Sequence, residues 1–136
     1  MSGVFRFPYK RYFNDAYPII KIHLKSRLKI IEAEAYVDSG ASTSIFMPEV
    51  ASLLGINYTK GERRLTMVGD GGSIPMYIHK IPIRIGDLWT KTTVGFSDQL
   101  GASINLLGQK DIFDRFDITF SKYKGVVSFS PHYEKR

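Results

Sequence analysis

The sequence contains no cysteine, which removes disulfide frameworks and thiolate metal sites from consideration. It also has no apolar run long enough to cross a bilayer as a helix. Residues 1–10 are aromatic and basic and hold no apolar signal core. Together these absences give the expectation of a cytoplasmic protein with no membrane partner. Histidine is scarce. His23, His79 and His132 stand far apart and lack metal-ligand spacing, so each reads as a surface or strand-face residue and no metal is expected. The single tryptophan, Trp89, reads as a core or interface anchor. There is no internal repeat and no low-complexity tract. The glycine-rich stretch at 69–72 is followed by neither the Lys-Ser/Thr nor the helix of a phosphate-binding loop. No nucleophile-elbow pattern is present, although a Ser-His-Asp triad is recognised by geometry rather than by sequence.

What the chain does have fits one domain. Its 136 residues suffice for a buried core. The net charge of +6 gives solubility or an affinity for acidic partners. Basic residues are scattered, with small groups at Lys10-Arg11, between Lys21 and Lys29, and at Arg63-Arg64. No nucleic-acid-binding motif accompanies them, so nucleic acid is not an expected partner.

Short alternating segments dominate. Ile20, Ile22 and Leu24 alternate with Lys21, His23 and Lys25, and Ile31, Ala33, Ala35 and Val37 share one face of a second strand. A turn at Ser26-Arg27 makes the two a hairpin. Residues 44–47 read as extended. Residues 48–54 read as a short helix, with Pro48 in the first turn and Gly55 at its end. Strands are expected at 65–68 and 73–79 around the turn at 69–72. Further strands are expected at 81–85, 89–96, 104–107, around Ile118 and Phe120, and at 126–129. Residues 111–116 read as a second short helix, and 131–136 as a polar tail that frays. The aromatics Phe5, Phe7, Tyr9, Tyr12, Phe13 and Tyr17 are too many for a free tail and read as packed over the domain or across a subunit interface. This pattern predicts an all-β fold, a small barrel or folded sandwich with two short helices.

One stretch stands apart. Ala35-Tyr36-Val37 leads directly into Asp38-Ser39-Gly40-Ala41-Ser42-Thr43. A carboxylate at the end of a buried strand is costly unless hydrogen bonds or chemistry account for it. Gly40 lets the chain turn so that backbone N–H groups face Asp38, and the Ser39 hydroxyl is placed to brace the turn. Taken alone, Asp38 also suits a plain turn-capping role. Far downstream comes Ile104-Asn105-Leu106-Leu107-Gly108.

The two stretches together resemble the retropepsin-like aspartic proteases, the single-lobed relatives of pepsin. The family's Asp-Thr/Ser-Gly-Ala core corresponds to Asp38, Ser39, Gly40 and Ala41, and its later apolar-apolar-Gly motif to Leu106, Leu107 and Gly108. The resemblance covers roughly residues 18–130. It implies a small closed acid-protease-type β-barrel, with an aromatic N-terminal extension (1–17) and a polar C-terminal tail (131–136). It implies that Val68, Gly69, Asp70, Gly71, Gly72 and Ser73 form a flap over substrate, and that Leu106, Leu107 and Gly108 support the core. Ser42 and Thr43 are polar where some relatives carry acidic residues.

Such chemistry needs two carboxyls sharing one proton. The ionised member activates water and the protonated one donates to the scissile carbonyl. Asp70, Asp87, Asp98, Asp111, Asp114 and Asp117 all lack the apolar lead-in and the Ser/Thr-Gly sequel. The resemblance therefore implies a homodimer in which each subunit supplies one Asp38, acting on an extended peptide without a cofactor. Two other functions stay open at this level. One is a peptide-binding or dimerising module on the same fold that does not cut. The other is a basic barrel that binds nucleic acid through aromatic and cationic side chains. Residues 1–17 have two candidate roles, a removable cover over the cleft or a dimerisation element.

Overall fold

Strands hold just over half of the residues that the computed structural model describes, 3–69 and 71–133, and the longer ones Ile19–Lys25 and Ser73–Ile85 alternate in burial over most of their length. Three short strands come first: β1 (Phe5–Pro8), β2 (Lys10–Tyr12) and β3 (Asp15–Tyr17). Next come β4 (Ile19–Lys25) and β5 (Ile30–Val37), paired as a hairpin from Ile19 opposite Tyr36 to Lys25 opposite Ile30. Strand β6 (Ser44–Phe46) leads into helix α1 (Pro48–Leu54). The helix starts with proline in its first turn and ends at Gly55, whose φ of 75° is the left-handed geometry glycine allows. It buries Val50, Ala51 and Leu54.

A 3-10 turn (Tyr58–Lys60) precedes β7 (Glu62–Met67) and β8 (Ser73–Ile85). Strand β8 is one continuous element, although the sequence reads as two. Its buried parity switches from Ile74 and Met76 to Ile81, Ile83 and Ile85 on either side of His79. Its first half pairs with β7, and its second half enters the barrel wall. At Pro75 the strand has β7 on one side only, since pairing with β9 begins at Tyr77. The missing N–H therefore breaks no ladder on the side away from β7, where no strand pairs with Pro75. Strands β9 (Leu88–Phe96), β10 (Asn105–Leu107), β11 (Phe116–Ser121) and β12 (Val126–Pro131) complete the chain.

Contact of β4 with β8, through His23 opposite Arg84 and Leu24 opposite Ile83, closes six strands into a barrel in the order β4-β5-β10-β6-β9-β8. Strand β7 stands outside on β8. Ile22, Leu24, Phe46, Leu54, Ile83, Ile85, Phe96 and Leu107 fill the interior. Each such side chain contributes about 1.5–3 kcal/mol by leaving water. A second sheet, β1-β12-β11, lies beside the barrel. Phe7 and Phe116 both meet the Phe129 ring edge-on, at 5.5 and 5.4 Å. The N-terminal aromatics are thus partly built into the core, and the last strand, expected to end at Phe129, runs on to Pro131.

The expected helix at 111–116 is not formed. Gln109 to Arg115 make overlapping turns in which Ile112 and Phe113 N–H both donate to the Gln109 carbonyl. Asp111 has a φ of 68°, which a continuing right-handed helix excludes. Its carboxylate instead accepts the Thr93 N–H at 2.8 Å, tying this segment to β9.

Candidate active site

Strand β5 delivers Asp38 from between two neighbours. On one side lies β4. On the other, β10 runs parallel, with Ala35, Tyr36 and Val37 opposite Asn105, Leu106 and Leu107. The two motifs far apart in sequence are therefore adjacent strands. The Asp38 N–H donates to the Leu107 carbonyl at 2.9 Å. Beyond it the chain turns. Asp38 Oδ1 accepts the Gly40 N–H at 2.9 Å, and the Asp38 carbonyl accepts the Ala41 N–H at 3.2 Å. A Cβ on Gly40 would lie 3.3 Å from Oδ1, so glycine keeps the carboxylate and its donor together. Asp38 is half-buried, Ser39 and Gly40 are exposed, and Ala41 is half-buried.

The loop is fastened from behind. Leu107 is fully buried and Leu106 half-buried. A Cβ on Gly108 would sit 2.7 Å from the Ala41 carbonyl oxygen and from the Thr43 carbonyl carbon and oxygen. Only glycine lets these two backbones pass so closely. The Gly108 N–H donates to Ser44 Oγ at 2.9 Å, and the Gln109 and Lys110 N–H groups donate to the Ala41 and Ser42 carbonyls. Gln109 Nε2 donates to the Ser39 carbonyl at 2.5 Å.

Sequence reading missed Ser44, Asn105 and Gln109. Buried Asn105 donates to the Glu34 carbonyl and accepts the Met47 N–H, both at 2.8 Å, and so stitches β5 to the start of α1. Its one signal was a polar residue inside an apolar strand, which a buried position tolerates only when hydrogen-bonded.

Asp38 and Ser39 open onto a cavity of about 360 Å³ lined also by Tyr9, Tyr17, Tyr36, Phe120 and Lys122. Burial, and then the charge of Asp38, hold the Tyr36 phenol above its usual range. The hairpin of β2 and β3 forms one wall of this cavity through Ala16 and Tyr17. Two ion pairs hold the hairpin, Lys10 to Glu34 at 2.6 Å and Lys122 to Asp15 at 2.9 Å. The Lys122 hydrogen bond, then the Ala16 N–H, keep the Asp15 carboxyl below its usual range. A depressed carboxyl pKa favours the folded hairpin above the unfolded value and loses that effect as pH falls through the folded one. In Lys122→Ala the Asp15 carboxyl is expected to titrate closer to its ordinary value, read from its carboxyl chemical shift. An unmoved midpoint would mean that Lys122 does not hold it in solution.

The other expected site residues lie elsewhere. Val68, Gly69, Gly71 and Gly72 form the tip between β7 and β8, and Ser73 begins β8. The Val68 N–H donates to the Gly72 carbonyl and the Gly71 N–H to the Val68 carbonyl, with Gly71 at a φ of 89°. Asp70 lies outside the described residues. None of the described tip residues lines the cavity at Asp38. Each histidine has local partners. His23 meets Arg84 and Glu32, His79 Nε2 donates to the Tyr58 carbonyl, and His132 contacts Asp117 at 2.8 Å. Among the described residues no three His, Asp or Glu side chains gather as metal ligands, and no helix is long and apolar enough to cross a membrane.

A six-stranded barrel, with an Asp-Ser-Gly-Ala loop clamped by a Leu-Leu-Gly strand, is the retropepsin-like architecture. Solved structures share it. A retropepsin-like aspartic protease from Rickettsia conorii superposes with a TM-score of 0.66 at 20% identity, over 94% of this chain and 92% of that one. The EIAV protease in complex with the inhibitor HBY-793 gives a TM-score of 0.55 at 19% identity, over 77% of this chain and 93% of that one. No curated protein matches the sequence. The aspartyl protease family matches residues 29–110, a span holding both Asp38 and Gly108, and the chain belongs to that family.

Proposed function

We propose that this protein is an aspartic endopeptidase that works as a homodimer on extended peptides. The observation that carries the proposal is the placement of Asp38. It is one carboxylate per chain, at the end of a core strand and fixed by Gly40 and by the Leu107 carbonyl. Two subunits would bring two Asp38 carboxyls together. The ionised one takes a proton from water as the water oxygen attacks the scissile carbonyl carbon. The protonated one donates to the carbonyl oxygen, and collapse of the tetrahedral species releases the amine with a proton. Ser39, Gly40 and Ala41 shape the loop, and residues 68–73 close over substrate as a flap. The catalytic unit spans residues 18–130, with 1–17 as an extension and 131–136 as a tail. The cytoplasmic setting read from the sequence belongs to the same proposal.

Strand β11 supports the dimer. Its outer edge has no partner strand among the described residues, and Phe120 and Lys122, at its end, line the cavity of Asp38. Mixing experiments test the proposal. Adding inactive Asp38→Asn chains to a fixed amount of wild type is expected to lower activity per wild-type chain, because mixed dimers hold one carboxylate. Activity independent of the added chains would overturn the shared site. Folded wild-type dimers that cut no peptide would favour the binding module.

A further inference from the structure

A cavity of about 650 Å³, larger than the one at Asp38, lies at the opposite end of β5. Strand β5 has eight residues, which sets the two sites about 25 Å apart. Three elements form it: the turn after β4, the end of α1 with Gly55 and Ile56, and residues 79–82 of β8. Its floor is aliphatic, from Leu54, Ile56 and Ile81, with Leu28 standing at its edge, 75% exposed. Its rim is cationic, with Lys25, Arg27 and Lys80, and no Asp or Glu lines it. The Lys25 ammonium rests 4.5 Å over the Trp89 ring. Arg27 and Lys80 are exposed and form no ion pair among the described residues.

The site is built rather than incidental. Ser26 Oγ donates to the Leu54 carbonyl at 2.7 Å, which satisfies the end of α1 and locks the turn onto it. The Leu28 and Lys29 N–H groups both reach Ser26 Oγ, and the Ser26 N–H donates to the Lys29 carbonyl. The groove walls are therefore preorganised, and little ordering free energy opposes a ligand. An aliphatic floor with the exposed cations Arg27 and Lys80 at its rim suits a ligand that carries apolar and anionic groups side by side. An extended peptide of that composition meets both requirements, with side chains every second residue on the same face.

We propose that this groove binds an extended acidic-aliphatic peptide segment, its Leu or Ile side chains on the floor and its carboxylates on Arg27 and Lys80. As a binding site it stands without the protease reading. Its use, to recruit a substrate protein at a distance from Asp38, rests on that reading.

The test is fluorescence anisotropy with the Asp38→Asn chain, residues 1–136, and a labelled peptide of alternating Glu and Leu, so that no cleavage intervenes. Saturable binding is expected, weakened several-fold when salt rises from about 50 to about 300 mM. The double variant Arg27→Glu/Lys80→Glu is expected to lose at least about tenfold in affinity. Leu28→Ser, at an exposed position that leaves the fold intact, is expected to lose about threefold. A Lys-Leu peptide and a Glu-Ser peptide are expected to bind at least tenfold more weakly. No saturable binding of the Glu-Leu peptide, equal binding of the Lys-Leu peptide, or unchanged affinity in the double variant would each overturn the proposal. So would capture by vesicles of anionic phospholipid in the absence of peptide binding.

Discussion

Replacing Asp38 by Asn is expected to abolish peptide cleavage while leaving the fold in place. The carboxylate accepts one backbone N–H, that of Gly40 at 2.9 Å, and the amide oxygen of Asn can accept the same bond. The strand leading to it is held by backbone pairing that the substitution does not touch. The turn should therefore survive, and the melting temperature should shift little. Catalysis should not survive. In the proposed dimer one substitution removes both the group that deprotonates water and the group that protonates the carbonyl. General acid–base groups contribute about 10²–10⁴-fold each, so the loss should reach about 10⁴-fold or more. The measurement is cleavage of a mixed peptide library across acid to neutral pH, read by mass spectrometry, for both proteins at equal concentration. Equal cutting by the two would remove Asp38 from the mechanism. The wild-type profile should fall on both its acid and its alkaline limbs, since activity needs one proton on the pair.

Sequence and structure agree best where a single physical rule governs. Alternation in β4 and β5 set which side chains face inward, and hairpin closure at Ser26 followed from it. The Asp-Ser-Gly-Ala and Leu-Leu-Gly stretches were legible as a pair, but their meeting as parallel neighbours needs the fold. Legibility failed where two rules compete. In β8 the buried parity changes near His79, so a period-two reading breaks one strand into two. At 111–116 the apolar spacing suits a helix, but the Asp111 backbone takes the left-handed region and its carboxylate bonds to β9. A tertiary hydrogen bond outweighs local spacing there. The N-terminal hairpin was invisible as a wall of the Asp38 cavity. One of its two ion pairs is to Lys122, more than a hundred residues away in the chain, and periodicity carries no signal over that distance.

Gly108→Ala is expected to be the most destabilising single substitution in the clamp, with the side effect of moving the Asp38 loop. The added methyl meets only backbone, the Ala41 and Thr43 carbonyls at 2.7 Å, so no rotamer change can clear it. Either β10 withdraws from the loop or the 41–43 segment shifts outward. The first course weakens the Gly108 bond to Ser44 Oγ and the Gln109 bond to the Ala41 carbonyl. The second moves the residues that follow Gly40, and Asp38 with them. Overpacking against fixed backbone costs about 1–3 kcal/mol, and stretched hydrogen bonds add to that. A loss near 3 kcal/mol would lower the melting temperature by about 10 °C for a chain of this size. A displacement of about 1 Å at a reacting group costs about 10²-fold in rate, so activity should fall even below the melting range. Gly101→Ala is the matched control. Nothing lies within 4 Å of a Cβ there, and its stability should change by no more than about 0.5 kcal/mol. Both variants are to be melted at the same protein concentration, because the midpoint of the proposed dimer depends on it. If the two glycines tolerate alanine equally, the Leu-Leu-Gly strand does not clamp the Asp38 loop. The position of Asp38 would then have to come from β4 and β5 alone.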